Sequence, residues 1–235
     1  MIADIAKRLT CCLNGLAWRW LGSGSAWRSD WALTEAERLR LCCIVDVLVA
    51  AAMNVDEAVM RDLLKDCDAP ADPSEEVASS RASNPRGFWR VDKDKDPEMR
   101  HTVLTMVAFA DLEDKVRAHG GDRDKGIEAF LAQNEGEGWL LPETLRLADY
   151  GLGHDGRARH PQPVASRLGP RFYDWQLTQT AEESWRECEL HARNLLGEAG
   201  LRAVLDRSEP KAKPEAEPAM PGGPDGRAGK SPKLF

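Results

Sequence analysis

A mainly α fold is predicted by three features of the chain. Apolar residues recur at helical spacing, as in Leu41, Ile44, Val45, Leu48 and Val49. Two Thr-x-x-Glu signatures, Thr34/Glu37 and Thr180/Glu183, mark helix starts. No alternating apolar–polar run is long enough to build a sheet, although short β pieces fit near Phe88–Val91. The expectation is an irregular helical domain with a disordered C-terminal tail.

Residues 1–32 form an atypical N-terminal segment. Trp18, Trp20, Trp27 and Trp31 are half of the eight tryptophans. Lys7 and Arg8 before a short apolar patch loosely imitate a secretion signal, but Asp4 and Arg19 interrupt it. Cytoplasmic placement is therefore expected. Residues 33–68 read as a helical hairpin: Thr34 and Glu37 cap the first helix, and Asp56 caps a second carrying Val59, Leu63 and Leu64. A linker follows at 69–85, rich in Pro, Ala, Ser and acids.

A helical accessory domain is expected over 86–206. Asp96 with Pro97 starts a helix bearing Met99, Val103, Met106, Val107 and Ala110, and Gly120-Gly121 stops it. A short helix near 123–133 presents Ile127, Phe130 and Leu131. Pro142 opens another, running to about Asp149. Thr180 and Glu183 then open a helix that Gly197 ends. Residues 207–235 carry too little apolar surface to offset the entropy of ordering them, which predicts disorder.

The bulk composition narrows the function classes. A chain of 235 residues can bury a real core. Its net charge of -7 supplies no global basic field, so any contact with a polyanion is local. No run of 18 apolar residues exists to span a membrane. The six cysteines fall as Cys11-Cys12, Cys42-Cys43, Cys67 and Cys188, without the CxxC spacing of a structural zinc site. Free thiols in a reducing compartment are expected.

Residues 84–101, "NPRGFWRVDKDKDPEMRH", place bases beside two aromatics. Arg86, Arg90, Lys93 and Lys95 are phosphate-contact candidates on that ground. Asp92, Asp94, Asp96 and Glu98 interleave with them, which favours a segment that buries Phe88 and Trp89 and caps the following helix. The second basic stretch is cleaner. From Gly156 through Phe172 there is no acid, while Arg157, Arg159, Arg167 and Arg171 are all present with His160. These arginines are the leading nucleic-acid contact candidates. Trp175, beside Tyr173, either stacks on a base or stabilises packing.

Other chemistry is poorly served. "GLGHDG" at 151–156 follows a helix-like segment rather than a strand, so it fails the strand–turn–helix requirement of a nucleotide loop. His154 and Asp155 have no nucleophile beside them in the sequence. His101, His119 and His191 stand singly on predicted helices, without an i, i+4 partner for a metal. The acidic helix "EAVMRDLLKDC" does not suit insertion into DNA, so the first two helices read as an ordinary hairpin. No catalytic residue and no metal ligand is assigned.

The stretches "AERLRLCCIVDVLVAAAMNVDEAVMRDLLKDC" and "NPRGFWRVDKDKDPEMRHTVLTMVAFADL", with "GWLLPETLRLADYGLGHD" and "PVASRLGPRFYDWQL", carry a family likeness. Over roughly 35–197 the chain resembles the C-terminal region of type IIG-like and phage-defence restriction–modification DNA adenine methyltransferases. Met53-Asn54-Val55 stands where that family usually has an aromatic-Gly-Leu turn. Adenine methylation in the family needs an Asn/Asp-Pro-Pro-aromatic loop for the flipped base. It also needs a glycine-rich loop for S-adenosylmethionine, and the sequence has neither. The resemblance thus implies a noncatalytic accessory role, with S-adenosylmethionine belonging only to a complete family member. The implied partners are DNA and a methylase core or restriction subunit. The first 32 residues fit the likeness poorly and suggest an unrelated or frame-shifted start. The alternative from the residues alone is a standalone helical protein–protein interaction module.

Overall fold

In the computed structural model the described residues are 2–11, 31–64, 92, 94–152 and 156–208. They are mainly helical. The α-helices are α1 (Ile2–Thr10), α2 (Glu35–Ala52), α3 (Glu57–Leu64), α4 (His101–Ala118), α5 (Arg123–Ala132), α6 (Ala165–Leu168), α7 (Asp174–Thr178) and α8 (Ala181–Ser208). Strands β1 (Thr144–Leu145) and β2 (Gln162–Pro163) pair antiparallel and form a two-stranded sheet, with Thr144 opposite Pro163.

The α2 and α4 helices form the centre. Leu41, Ile44, Val47 and Leu48 of α2 and Leu104, Phe109 and Leu112 of α4 are almost fully buried, as is Phe130 of α5. The same cluster takes Ile5 from α1, Met60 from α3, and Leu145, Ala158 and Val164 from the second half. This cluster draws residues from before position 33 and from both sides of 69–85, and a smaller one gathers Cys11 and Trp31 with Cys188, Ala192 and Leu201. At about 25 cal/mol per Å² of apolar surface, a buried Leu or Phe contributes on the order of 2 kcal/mol. Gly126 lets α5 approach α4 closely: a Cβ there would sit 2.4 Å from Val116 Cγ2 and 2.8 Å from its Cα.

Several helix starts form as expected. The Thr34 hydroxyl accepts from the Glu37 amide at 3.2 Å, and Asp56 Oδ1 accepts from the Val59 amide at 2.8 Å. At Thr180 both bonds of the capping box are made, 2.8 Å from the Thr180 amide to Glu183 and 3.2 Å from the Glu183 amide to the Thr180 hydroxyl. Gly120 and Gly121 adopt φ of 69° and 87°, and the Gly121 amide donates back to the Val116 carbonyl, which terminates α4.

Other expectations need correction. Asp96 does not cap α4. Pro97–Met99 is a 3-10 turn, α4 begins at His101, and Asp92 Oδ2 accepts from the His101 amide at 3.0 Å. The carboxylate of Asp96 is drawn off by arginines instead. Pro142 opens no helix: the chain there is extended into β1, then makes a 3-10 turn over Leu147–Tyr150 that Gly151 closes at φ 66°. Pairing with β2 accounts for the change, since Val164 and Ala165 amides donate to the Glu143 and Pro142 carbonyls. Gly197, at φ 70° and ψ 171°, breaks the helical path, but helix resumes and α8 runs on to Ser208. The tail beyond 208, the linker at 69–85 and the suggested β piece at 88–91 lie outside the described residues.

No helix among the described residues is long and apolar enough to cross a membrane. Cys11, Cys42, Cys43 and Cys188 are free thiols. Burial pushes the Cys43 thiol up to about 12 and raises Cys188 as well, which marks both as packing groups rather than nucleophiles.

Candidate functional site

Two carboxylate–arginine clusters stand out among the described residues, and both involve arginines singled out in the sequence. The first is built on Glu37, whose side chain is fully buried. The hydroxyl of Thr34 and the first turn of α2 fix its position. Its carboxylate does not reach back to complete the capping box. It accepts from Arg40 Nε at 2.8 Å and Arg40 Nη2 at 2.7 Å, from Arg8 Nη2 at 2.6 Å, and from Arg171 Nε at 2.8 Å.

Arg40 is also fully buried, and two backbone carbonyls take both donors of its Nη1: Glu137 and Trp139 each accept at 2.8 Å. The first of these carbonyls lies in the turn "QNEGEG" at 133–138 and the second directly after it. The turn contains four left-handed residues, Asn134 (φ 53°), Glu135 (φ 60°), Gly136 (φ 88°) and Gly138 (φ 76°). Two of those are not glycine, and such positions cost on the order of 1–3 kcal/mol each unless the surroundings enforce them. Here Asn134 Nδ2 donates to the Gly138 carbonyl at 2.8 Å, and Gln133 Nε2 donates to Asp111 at 2.7 Å. The turn delivers Glu137, which accepts from Arg171 Nη2 at 2.7 Å. Thr34 donates to the Arg171 carbonyl at 2.7 Å, closing the circuit.

Burial alone would push the Glu37 carboxyl up. The hydrogen bonds and charges of Arg40 and Arg171 outweigh it and hold the group below the usual carboxylate range. Buried charges persist only when paired and hydrogen-bonded; Glu37 and Arg40 meet that condition, while Arg8 pairs through Nη2 and leaves its buried Nε without a hydrogen-bond partner among the described residues.

The second cluster joins the 92–98 stretch to the acid-free stretch. Glu98, at 1% exposure, accepts on one oxygen from Arg157 Nη2 at 2.8 Å and Arg167 Nη1 at 3.0 Å. Asp96 lies between the same two arginines, 2.7 Å from Arg167 Nη2 and 3.5 Å from Arg157 Nη1. Arg157 is 49% exposed, Arg167 38% and Asp96 39%. The Arg167 hydrogen bond, with Arg157 beside it, holds the Asp96 carboxyl below its ordinary range.

The structure thus gives Arg157, Arg167 and Arg171 carboxylate partners within the chain. Arg159 is exposed, with no partner among the described residues. Lys95 pairs with Asp92 at 3.2 Å. Arg86, Arg90, Lys93, Phe88 and Trp89 lie outside the described residues, as do His154 and Asp155. Trp175 is 42% exposed and stacks on Tyr173, with ring centroids 6.1 Å apart and planes 12° from parallel.

Histidines stand apart from one another: His101 Nε2 lies 3.0 Å from Asp46, His119 Nδ1 lies 2.8 Å from the Lys115 carbonyl, and His191 Nε2 lies 3.1 Å from the Cys11 carbonyl. Among the described residues no three His, Cys, Asp or Glu side chains are grouped as a metal site requires. An open groove of about 320 Å³ has Asp111, Asp114, Gln133, Trp139 and Tyr150 in its lining. Its acids are already engaged, Asp111 with Gln133 and Lys115 and Asp114 with Arg117.

Sequence reasoning missed Glu37 and Arg40 as the hub because it assigned Glu37 to the capping box. The available signal was an Arg three residues after a Glu on an otherwise apolar helix face. Compared with known proteins, the chain matches no family model, no curated protein and no solved structure.

Proposed function

We infer that the chain acts as a noncatalytic accessory region of a restriction–modification-type DNA adenine methyltransferase, supporting a methylase core. The observation that carries this reading is the Glu37 hub. It ties α1, α2, the 133–139 turn and the 171 segment together through Arg8, Arg40 and Arg171. Three of the four stretches that carry the resemblance contribute to this hub, through Glu37 and Arg40, the Trp139 carbonyl and Arg171, which supports a structural role. Arg171, a candidate for DNA contact, is committed to Glu37 and Glu137, so it serves this body first. The chain carries no Asn/Asp-Pro-Pro-aromatic loop and no glycine-rich loop after a strand, so the methyl donor and the flipped base belong to the partner.

The test pairs two measurements on the purified chain. Alone, it transfers no tritiated methyl label from S-adenosylmethionine to DNA. Mixed with the catalytic body of a methylase of the resembled family, it forms a complex on size exclusion. Label transfer by the chain alone, or no complex, overturns the reading.

The exposed apolar strip of Tyr173, Trp175 and Leu177 favours a second reading, a protein–protein interaction module unconnected with DNA. Salt separates the two. Phosphate contacts lose affinity steeply as salt rises, whereas an apolar interface responds weakly.

A further inference from the structure

We propose that Asp96 is an intramolecular stand-in for a DNA phosphate, and that it masks an arginine fork made by Arg157 and Arg167. The proposal rests on the DNA-associated reading above and adds its regulation.

The geometry comes first. Asp96 Oδ2 sits 2.7 Å from Arg167 and Oδ1 sits 3.5 Å from Arg157, so one small anion bridges two guanidiniums. Planar guanidiniums grip carboxylate and phosphate oxygens in the same way, which makes the two anions interchangeable in such a fork. Glu98 anchors both arginines from below. It is buried at 1% exposure and contacts both through a single oxygen, so the fork stays assembled if Asp96 leaves.

Exchangeability follows from exposure. Asp96 is 39% exposed, and the arginines are 49% and 38% exposed, so the outer anion faces water on a screened surface. Exposed ion pairs of this kind are weak. Asp96 precedes the 3-10 turn at Pro97–Met99, which carries Glu98, so the exchange requires only that the Asp96 side chain turn away while that turn stays in place. Asp96 and Glu98 together offset the charges of Arg157 and Arg167. Removal of Asp96 makes the local charge more positive by one, and exposed Arg159 lies on the same turn as Arg157, Gly156–Arg159.

The experiment measures binding of the full chain to a fluorescein-labelled DNA duplex by anisotropy, over a series of salt concentrations. Asp96→Asn is the test variant, and its thermal melt confirms that it folds. Replacing Asp96 by Asn tightens binding about threefold or more, the scale of one surface ion pair. It also steepens the slope of log affinity against log salt by about 1, one extra phosphate engaged. Adding Arg157→Ala and Arg167→Ala to Asp96→Asn removes both effects.

Three results overturn the proposal. If Asp96→Asn changes nothing while Arg157→Ala with Arg167→Ala weakens the parent chain, the arginines bind DNA unmasked: masking is wrong and the DNA reading stands. If the gain survives in the triple variant, it reflects net charge and not the fork. If no form binds the duplex even at low salt, masking and DNA contact fall together.

Discussion

The Glu37 and Glu98 clusters use the same chemistry and do different work. Each has a buried carboxylate shared by two or more arginines, and each joins segments far apart in sequence. Around Glu37 the partners lie further inside: Arg40 is fully buried, Arg8 15% exposed and Arg171 29% exposed. Around Glu98 the partners are outside, with both arginines above a third exposed. Low dielectric makes the first arrangement costly to break, because each orphaned charge keeps its full desolvation penalty. Water and salt make the second cheap to rearrange. The same residue types thus give a structural lock in one place and an exchangeable fork in the other.

The largest expected effect breaks the lock. Glu37→Ala leaves Arg40 buried without its carboxylate and costs about 3–5 kcal/mol, read from denaturant unfolding. A loss below about 1 kcal/mol would remove the distinction between the clusters.

Next in size is Gly126→Ala, which tests the close packing of α5 on α4. The added methyl meets Val116 backbone, so overpacking costs about 1–3 kcal/mol. Its effect adds to that of Asp96→Asn, and a strong deviation from additivity would show that the outer cluster is coupled to the core.

Acid separates the clusters in the same order. Glu37 and Asp96 both have folded carboxyls below the usual range, so their stabilisation is complete above the unfolded carboxylate values of roughly 4. It is lost as the pH falls through the lower folded values. The Glu37→Gln chain therefore shows a flatter stability–pH curve in that acid window. Asp96→Asn changes the curve little, because its pairs are exposed. Parallel curves for Glu37→Gln and the parent would contradict this.

The smallest effect is on stability at the fork itself. Asp96→Asn alters unfolding free energy by no more than about 1 kcal/mol, and 1 M salt erases even that. Persistence of the difference in high salt would move Asp96 into the structural class.

Much of the helical layout was legible because it depends on neighbours in sequence. Thr34, Asp56 and the Thr180–Glu183 pair announce helix starts through bonds three residues long, and Gly120-Gly121 announces a stop by tolerating left-handed φ. The α2 core face followed from helical spacing. What the sequence hid was long-range competition for the same groups. Glu37 suits a capping box, but three arginines outbid the backbone for its carboxylate. Asp96 suits a helix cap, but Arg167, 71 residues away, takes it, and Asp92 caps α4 instead. The Pro142 segment has a helical pattern locally, yet pairing with β2 holds it extended. The acid-free run at 156–172 stood out as a free basic surface. Its counter-charges lie in the 92–98 stretch and at Glu37 and Glu137, and no spacing rule connects them.

Double-mutant cycles on the pairs Glu37–Arg171 and Asp96–Arg167, run side by side by denaturant unfolding, measure the contrast most directly. The buried lock predicts a coupling of about 2 kcal/mol or more for Glu37–Arg171, and the exchangeable fork predicts under about 1 kcal/mol for Asp96–Arg167. Equal couplings at the two pairs would contradict the division of labour between them.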